Sequence, residues 1–311
     1  MKVLLTGGAG FIGSHIADAY IDLGHDVSIV DNLVTGTREN LNPKARFFEV
    51  DVRDAVGMKR VFEVERFDLV NHHAAQMDVR RSVADPVFDA SVNILGVLNI
   101  LELCVLHNVH RFIFASSGGA IYGEQDYFPA DEIHPTRPIS PYGVAKLTTE
   151  NYLFYYKAVY GVDSVSLRYA NVYGPRQNPK GEAGVVAIFA SKMLSGEQPV
   201  INGDGKQTRD YVYVGDVARA NTLALQCDGL QVFNVGTGVE TDVNTLFRHI
   251  KRSSESSALE QHAPAKKGEQ LRSTLDARKI RTALGWQPTV GVEEGVKRTV
   301  EFFKTMKANV P

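Results

Sequence analysis

The chain is poor in cysteine, with two in 311 residues, and it has a single tryptophan. Two cysteines cannot build a disulfide framework. Cys104 and Cys227 both sit in apolar surroundings without metal-ligand spacing, so buried thiols in a reducing, cytoplasmic compartment are expected. An excess of one charge is also lacking. The 34 basic and 36 acidic residues leave a net charge of -2, with no long run of either sign. That balance speaks against nucleic acid or an anionic membrane surface as partner. Long apolar runs are missing as well: the opening residues are too short a run for a signal peptide, and no stretch reads as the roughly 20-residue helix that spans a bilayer. A soluble protein is expected. No cluster of His, Cys or acids has ligand spacing, so no metal is expected. No repeat of solenoid or propeller period is present.

What is there is alternation. Short β-branched or apolar runs at 2–6, 26–30, 46–49, 69–71, 112–115 and 164–169 read as strands. Between them, 10–23, 56–65, 92–107 and 141–160 read as helices. That order predicts an α/β fold, a doubly wound parallel sheet covered by helices on both faces. From about residue 171 the connections lengthen and carry more glycine and proline. We therefore expect a first domain over 1–170 and a smaller one over 171–311, some of whose elements can return to the first. The polar tract 253–257 reads as an exposed loop.

Thr6-Gly7-Gly8-Ala9-Gly10-Phe11-Ile12-Gly13 follows a strand and opens a helix, the context of a dinucleotide fingerprint. Gly8, Gly10 and Gly13 fit one spacing, and Gly7, Gly10 and Gly13 fit another. In either, absent side chains let backbone N–H groups and a helix N-terminus approach a pyrophosphate. A glycine motif alone is equally an ordinary tight turn. Asp31 tips the balance: it ends the second strand, where a carboxylate accepts hydrogen bonds from an adenosine ribose and repels a 2′-phosphate, favouring NAD over NADP. Asp51, after the next strand, is placed to meet an adenine edge, although a lone aspartate there is more often a helix cap.

Tyr142 and Lys146 stand at i and i+4, so a helix puts both on one face as a single acid/base unit. By itself this pairing usually means two surface residues. Ser117 ends a strand ahead of them, where open α/β sheets bind ligands, although a lone serine there more often forms a turn or caps a helix. A tyrosine acting as general base near neutrality needs its pKa lowered by roughly 3 units. A lysine ammonium and a positively charged nicotinamide together supply that.

Taken together, these motifs resemble the extended short-chain dehydrogenase/reductases, specifically the NAD-dependent epimerase/dehydratase family. The likeness runs over essentially the whole chain. It includes Asp31-Asn32-Leu33, His73-Ala74-Ala75-Gln76, Ser140-Pro141-Tyr142-Gly143, the segment 167–176, Gly181-Glu182-Ala183-Gly184-Val185-Val186, Arg209-Asp210-Tyr211-Val212, Phe233-Asn234-Val235-Gly236 and Leu284-Gly285-Trp286. The resemblance implies a Rossmann-type NAD-binding domain and a smaller α/β domain for a nucleotide sugar. It implies NAD contacts at Gly7, Gly10, Phe11, Ile12, Gly13, Asp31, Asn32, Asp51, Val52, Ala74, Ala75, Asn93, Tyr142, Lys146 and Tyr169. Ser117, Tyr142 and Lys146 would be catalytic. Ser117 and Tyr142 would also touch the sugar, with Asn171, Gly184, Val185, Arg209, Lys266 and Glu269 near a uridine diphosphate and Ser273 at the sugar pocket. Outside the motif, Arg209 would read as a surface ion pair with Asp210.

The implied activity is 4-epimerisation of a UDP-sugar, UDP-glucose to UDP-galactose, through a 4-keto intermediate with transient hydride transfer to tightly bound NAD. UDP-N-acetylglucosamine or UDP-glucuronate are alternative substrates. A non-catalytic NAD-binding sensor is the reading from another class, opposed by the presence of both Tyr142 and Lys146. Three departures from the family pattern matter. Lys266 replaces a frequent arginine and gives a point charge in place of a fork. Gly118-Gly119 stand where dehydratases carry acids, which argues against elimination. Ser273 stands where a bulky tyrosine is sometimes found, leaving room for an N-acetyl group. Finally, helices 92–107 and 141–160 carry more apolar surface than facing one sheet requires, and the resemblance implies a homodimer through them.

Overall fold

The computed structural model describes residues 1–179, 184–265 and 270–308. Its first elements are β1 (Lys2–Thr6), α1 (Phe11–Asp22), β2 (Asp26–Asp31), β3 (Arg46–Glu49), α2 (Ala55–Val64), β4 (Leu69–His72), α3 (Val79–Ala84) and α4 (Pro86–Ala90). A π-helical turn, Ser91–Leu95, leads into α5 (Gly96–Leu106), then β5 (Arg111–Ser117), α6 (Gly118–Ile121), α7 (Pro141–Tyr160) and β6 (Asp163–Tyr169). There follow β7 (Asn171–Tyr173), α8 (Val185–Leu194), β8 (Ile201–Asn202), β9 (Thr208–Tyr213), α9 (Val214–Ala224) and β10 (Leu230–Val235). The last elements are β11 (Glu240–Asp242), α10 (Val243–Ser254), β12 (His262–Ala263), α11 (Arg278–Leu284) and α12 (Val292–Ala308).

Seven strands form one sheet in the order β10-β6-β5-β4-β1-β2-β3. The ladders of β1 with β2 and β4, of β2 with β3 and of β4 with β5 are parallel. The sheet is the expected doubly wound α/β arrangement. Val3, Leu4 and Leu5 of β1 are all 0% exposed, so the unbroken apolar run is that of a strand covered on both faces. The strand order reverses between β1 and β4, where such a sheet opens a crevice at its carboxyl edge.

The chain divides into two compact units. The first comprises Met1–Gly123, Pro135–Arg168 and Ala218–Phe233, and the second Glu124–His134, Tyr169–Val217 and Asn234–Pro311. In the first, Leu4, Val30, Val70, Phe112 and Phe114 pack with Val97, Ile100, Leu101 and Leu153. Each such side chain contributes about 1.5–3 kcal/mol when fully buried. In the second, Phe189 and Met193 pack with Leu246, Phe247, Val296 and Val300. There the Asp216 carboxylate accepts the Thr289 and Val290 N–H groups and the Thr289 hydroxyl, while its carbonyl takes the Trp286 indole N–H at 2.9 Å.

α7 spans the residues expected of it, for local reasons. The Ser140 side chain accepts the Gly143 N–H, Pro141 fills the first helical position, and Gly161 closes the helix with φ 73. The helix expected over 92–107 starts earlier. Asp85 caps α4 by accepting the Phe88 N–H, with Pro86 next, and the π turn then delays α5. The joined run Pro86–Leu106 is by length and composition apolar enough to cross a bilayer, which corrects the expectation that no stretch would be. Its Asp89 and Asn93 are buried inside the first unit at 1% and 2% exposure, which marks it as a core helix.

One buried charge pair ties β5, α7 and β6 together. Arg168 donates to both Glu150 carboxylate oxygens, at 3.0 and 2.6 Å, and to the Tyr122 hydroxyl at 2.9 Å. The Ser116 hydroxyl donates to the same carboxylate at 2.7 Å. Removing one partner of a buried pair strands the other, so Arg168→Met will cost about 3–5 kcal/mol in equilibrium unfolding, and adding Glu150→Leu will recover part of it. Equal stability of the single and double variants would contradict this.

Candidate active site

The glycine turn after β1 is built from close approaches. Gly7 has φ +70, and a Cβ on it would lie 2.6 Å from the Ala74 nitrogen. A Cβ on Gly13 would lie 2.2 Å from the Gly7 carbonyl oxygen. The first glycine therefore lets the turn lie against the chain leaving β4, and the last brings α1 down onto the turn. Gly10 is the N-cap of α1 without a side-chain cap, and the first turn carries no acid. The leading N–H groups of Phe11, Ile12 and Gly13 thus suit a pyrophosphate.

Thr6 holds the two edges of the crevice together. Its hydroxyl lies 2.8 Å from His72 Nδ1 and accepts the His73 and Ala74 N–H groups at 3.2 Å. This places Ala74 and Ala75 beside the glycine turn. Asp31, at the end of β2, accepts the Ala9 N–H at 3.0 Å and the Leu33 N–H at 2.8 Å. Burial pushes its carboxyl up, against the pull of those two donors. Each oxygen keeps a further lone pair for a ribose hydroxyl. Asp51 is not a helix cap: Asp54 caps α2. Asp51 instead accepts from Arg53 Nε, Nη2 and backbone N–H and from Asn32 Nδ2 at 2.8 Å, and Arg53 holds its carboxyl well below the usual range. Val52 is buried, and its carbonyl accepts Asn99 Nδ2 at 2.8 Å. Asn93, on the π turn, exchanges hydrogen bonds with the Gln76 backbone at 3.0 and 2.8 Å. Tyr169 ends β6 at 6% exposure.

The catalytic candidates share the first unit. Ser117 ends β5 and is the N-cap residue of α6, although its hydroxyl makes no cap hydrogen bond. Tyr142 lies in the first turn of α7, with Lys146 one turn on. Lys146 is 3% exposed, donates to the Ala115 carbonyl at 2.9 Å, and its Nζ lies 5.5 Å from the Tyr142 ring centre and 4.8 Å from that of Phe114. Burial brings its pKa down to about 8, with Asp89 pulling the other way. The sequence reading missed Gly143, where a Cβ would lie 2.5 Å from the Ala120 carbonyl oxygen. That contact sets the turn carrying Tyr142 directly on the turn following Ser117. The Ser-Pro-Tyr-Gly order held the clue.

In the second unit β9 carries the candidates. Asn171 of β7 pairs with Tyr211, and Ser273 lies in an extended segment whose carbonyl accepts the Asp210 N–H at 2.9 Å. Arg209, next to Asp210 on β9 and opposite Thr241 of β11, donates from Nη1 to the Thr208 carbonyl at 2.8 Å. The Asp210 carboxylate is taken up by the Thr237, Gly238 and Leu275 N–H groups and the Thr237 hydroxyl. Gly184 is the N-cap of α8 and Val185 its first residue. Lys266 and Glu269 lie outside the described residues. Among the described residues no group of three or more His, Cys, Asp or Glu is arranged to hold a metal ion.

Because Gly13 has no room for a methyl, Gly13→Ala will purify with NAD content reduced at least ~10-fold, while the fold survives at a cost of about 1–3 kcal/mol. Enzymatic assay of nucleotide released from denatured protein measures it, and full NAD content in the variant would overturn this account of the turn.

Residues 3–236 match the model of the NAD dependent epimerase/dehydratase family. A relative from Methanocaldococcus jannaschii, named a putative UDP-glucose 4-epimerase, is 48% identical over 302 residues, covering 97% of this chain and 98% of its own. The crystal structure of a UDP-glucose 4-epimerase with UDP-glucose, from Thermotoga maritima, is 50% identical with a TM-score of 0.96, covering 99% of this chain and all of that one. A Thermus thermophilus UDP-glucose 4-epimerase in complex with NAD is 47% identical with a TM-score of 0.93, over 98% of this chain and 99% of that one. With the glycine turn, Asp31 and the Ser117, Tyr142 and Lys146 set in place, this chain belongs to the NAD-dependent epimerase/dehydratase family.

Proposed function

We propose that this protein is a UDP-glucose 4-epimerase, an isomerase interconverting UDP-glucose and UDP-galactose. The observation that carries the reading is Lys146, buried on the face of α7 that carries Tyr142, in a chain similar along nearly its whole length to proteins of that name. NAD, when bound, would supply the acceptor and donor of the C4 hydride, leaving the cycle redox-neutral. The turn from Gly7 to Gly13 would hold its pyrophosphate and Asp31 its adenosine ribose.

The chain's own residues move the proton. Tyr142 as phenolate takes it from the sugar C4 hydroxyl, giving a 4-keto sugar, and hands it back after the sugar has turned over. Ser117 hydrogen-bonds the reacting oxygen. Lys146 stabilises the phenolate through its positive charge and orients the nicotinamide ribose. Asn171, Gly184, Val185 and Arg209 are proposed to hold the uridine diphosphate, Arg209 by its planar fork.

A second substrate, UDP-N-acetylglucosamine, turns on Ser273, a small residue whose carbonyl accepts the N–H of Asp210, next to Arg209. We also place the protein in the cytoplasm, consistent with its two free cysteines.

Purified protein without added cofactor will convert UDP-glucose to UDP-galactose, read by chromatography. Tyr142→Phe will lose about 10²–10⁴-fold in kcat. Failure to convert UDP-glucose, with or without added NAD, rejects the assignment. Turnover of UDP-N-acetylglucosamine that Ser273→Tyr abolishes would establish the wider specificity.

A homodimer is proposed through α5 and α7, which leave Leu106, Phe154 and Val159 at 63%, 63% and 57% exposure. Light scattering at micromolar concentration will give twice the 34.2 kDa chain mass, and a monomeric mass rules the dimer out.

A further inference from the structure

Asp89 is a buried acid with no part in the chemistry above. It sits on α4 at 1% exposure, and its Oδ1 accepts Gln76 Nε2 at 2.8 Å and Asn93 Nδ2 at 2.9 Å. Both amides are fixed in turn. Asn93 exchanges two hydrogen bonds with the Gln76 backbone, and Gln76 Oε1 accepts the Asp78 N–H at 2.7 Å. The Asn93 carbonyl accepts the Thr149 hydroxyl at 3.2 Å, from the next turn of α7 after Lys146. α4 and the π turn both pack on α7. The carboxylate is therefore clamped against the helix that carries Lys146.

A carboxylate at this depth is costly unless something needs its charge. The groups around the Lys146 ammonium narrow the possibilities. From its own helix it meets the Tyr142 ring, and from β5 the Phe114 ring and the Ala115 carbonyl. From the end of β4 come His72 and His73, which burial holds below the ordinary histidine range, with the Lys146 charge adding to the effect. From α4 comes Asp89, the negative charge among the groups acting on it. Burial raises the Asp89 carboxyl, while Gln76, Asn93 and Lys146 draw it back.

We propose that Asp89 is a positioning residue, the buried counter-charge that keeps the Lys146 ammonium in place beside Tyr142, acting through Lys146 and not on the substrate. Its catalytic consequence rests on the acid/base reading of Tyr142 and Lys146. The π turn fits this role. Asn93, in that turn and four residues after Asp89, lies on the same side of the helical run and bonds both the Gln76 backbone and the Asp89 carboxylate.

Asp89→Asn tests this, because an asparagine Oδ1 can still accept both amides. The purified enzyme, labelled with 13Cε-lysine, is titrated by NMR, with the Lys146 signal identified by its loss in Lys146→Met. Burial will place the parent's midpoint below the ordinary lysine value, at about 8. In Asp89→Asn it will fall by about 1 unit or more. At pH 8 such a fall takes the charged fraction from a half to about a tenth, so kcat drops about fivefold with KM and NAD content unchanged. Asp89→Glu, which keeps the charge while disturbing the packing more, will hold the midpoint near that of the parent. A midpoint that stays put in Asp89→Asn overturns the proposal, as does an equal fall in both variants, which would mean packing and not charge. The titration does not use substrate. A fallen midpoint with unaltered turnover would therefore uphold the counter-charge and reject the acid/base reading of the pair.

Discussion

Burying a lysine ammonium is expensive, and much of the first unit is arranged around that cost. Lys146 lies out of water with its charge directed at the Ala115 carbonyl, at the end of the strand that carries Ser117. Desolvation draws its pKa from the ordinary lysine value toward neutrality. The same desolvation makes its field effective, since a charge in a poorly polarisable interior acts on its neighbours far more strongly than one in water. The histidines at the end of β4 feel it as a penalty on their own charge. A phenolate on Tyr142 would feel it as stabilisation.

The layers beneath this arrangement serve to keep it rigid. The Arg168–Glu150 pair also binds Ser116 and Tyr122, so the end of β5 and the residue that closes α6 are held together. Thr6 does the same for the end of β4 with a single hydroxyl. Polar atoms in these positions are buried or half-buried, and their mutual hydrogen bonds fix their geometry.

Much of this was legible in the sequence where local chemistry decides structure. β1, β3 and α7 fall where their patterns put them, because caps, proline and glycine mark α7 and apolar runs mark the strands. The glycine turn and Asp31 announce themselves for the same reason. What could not be read depends on contacts distant in sequence. Nothing near Asp89 says that Gln76 and Asn93 will clamp it, and nothing near Thr6 says that His72 will share its hydroxyl. Asp51 looked like a possible cap because Arg53, two residues on, gives no sign of folding back over it. The early start of the helix before residue 92 was marked by Asp85-Pro86, but the π turn beyond carries no local signature.

The contact at Gly143 has a further consequence. With no room for a methyl group between it and the Ala120 carbonyl, the first turn of α7 and the short helix after Ser117 cannot shift independently. The serine and the tyrosine therefore form one solid wall. An epimerase must offer opposite faces of one carbon to the same hydride position, and a wall of this kind does not swing. The rotation has to be made by the ligand, which makes the freedom left to the sugar as much a product of the fold as the residues that touch it.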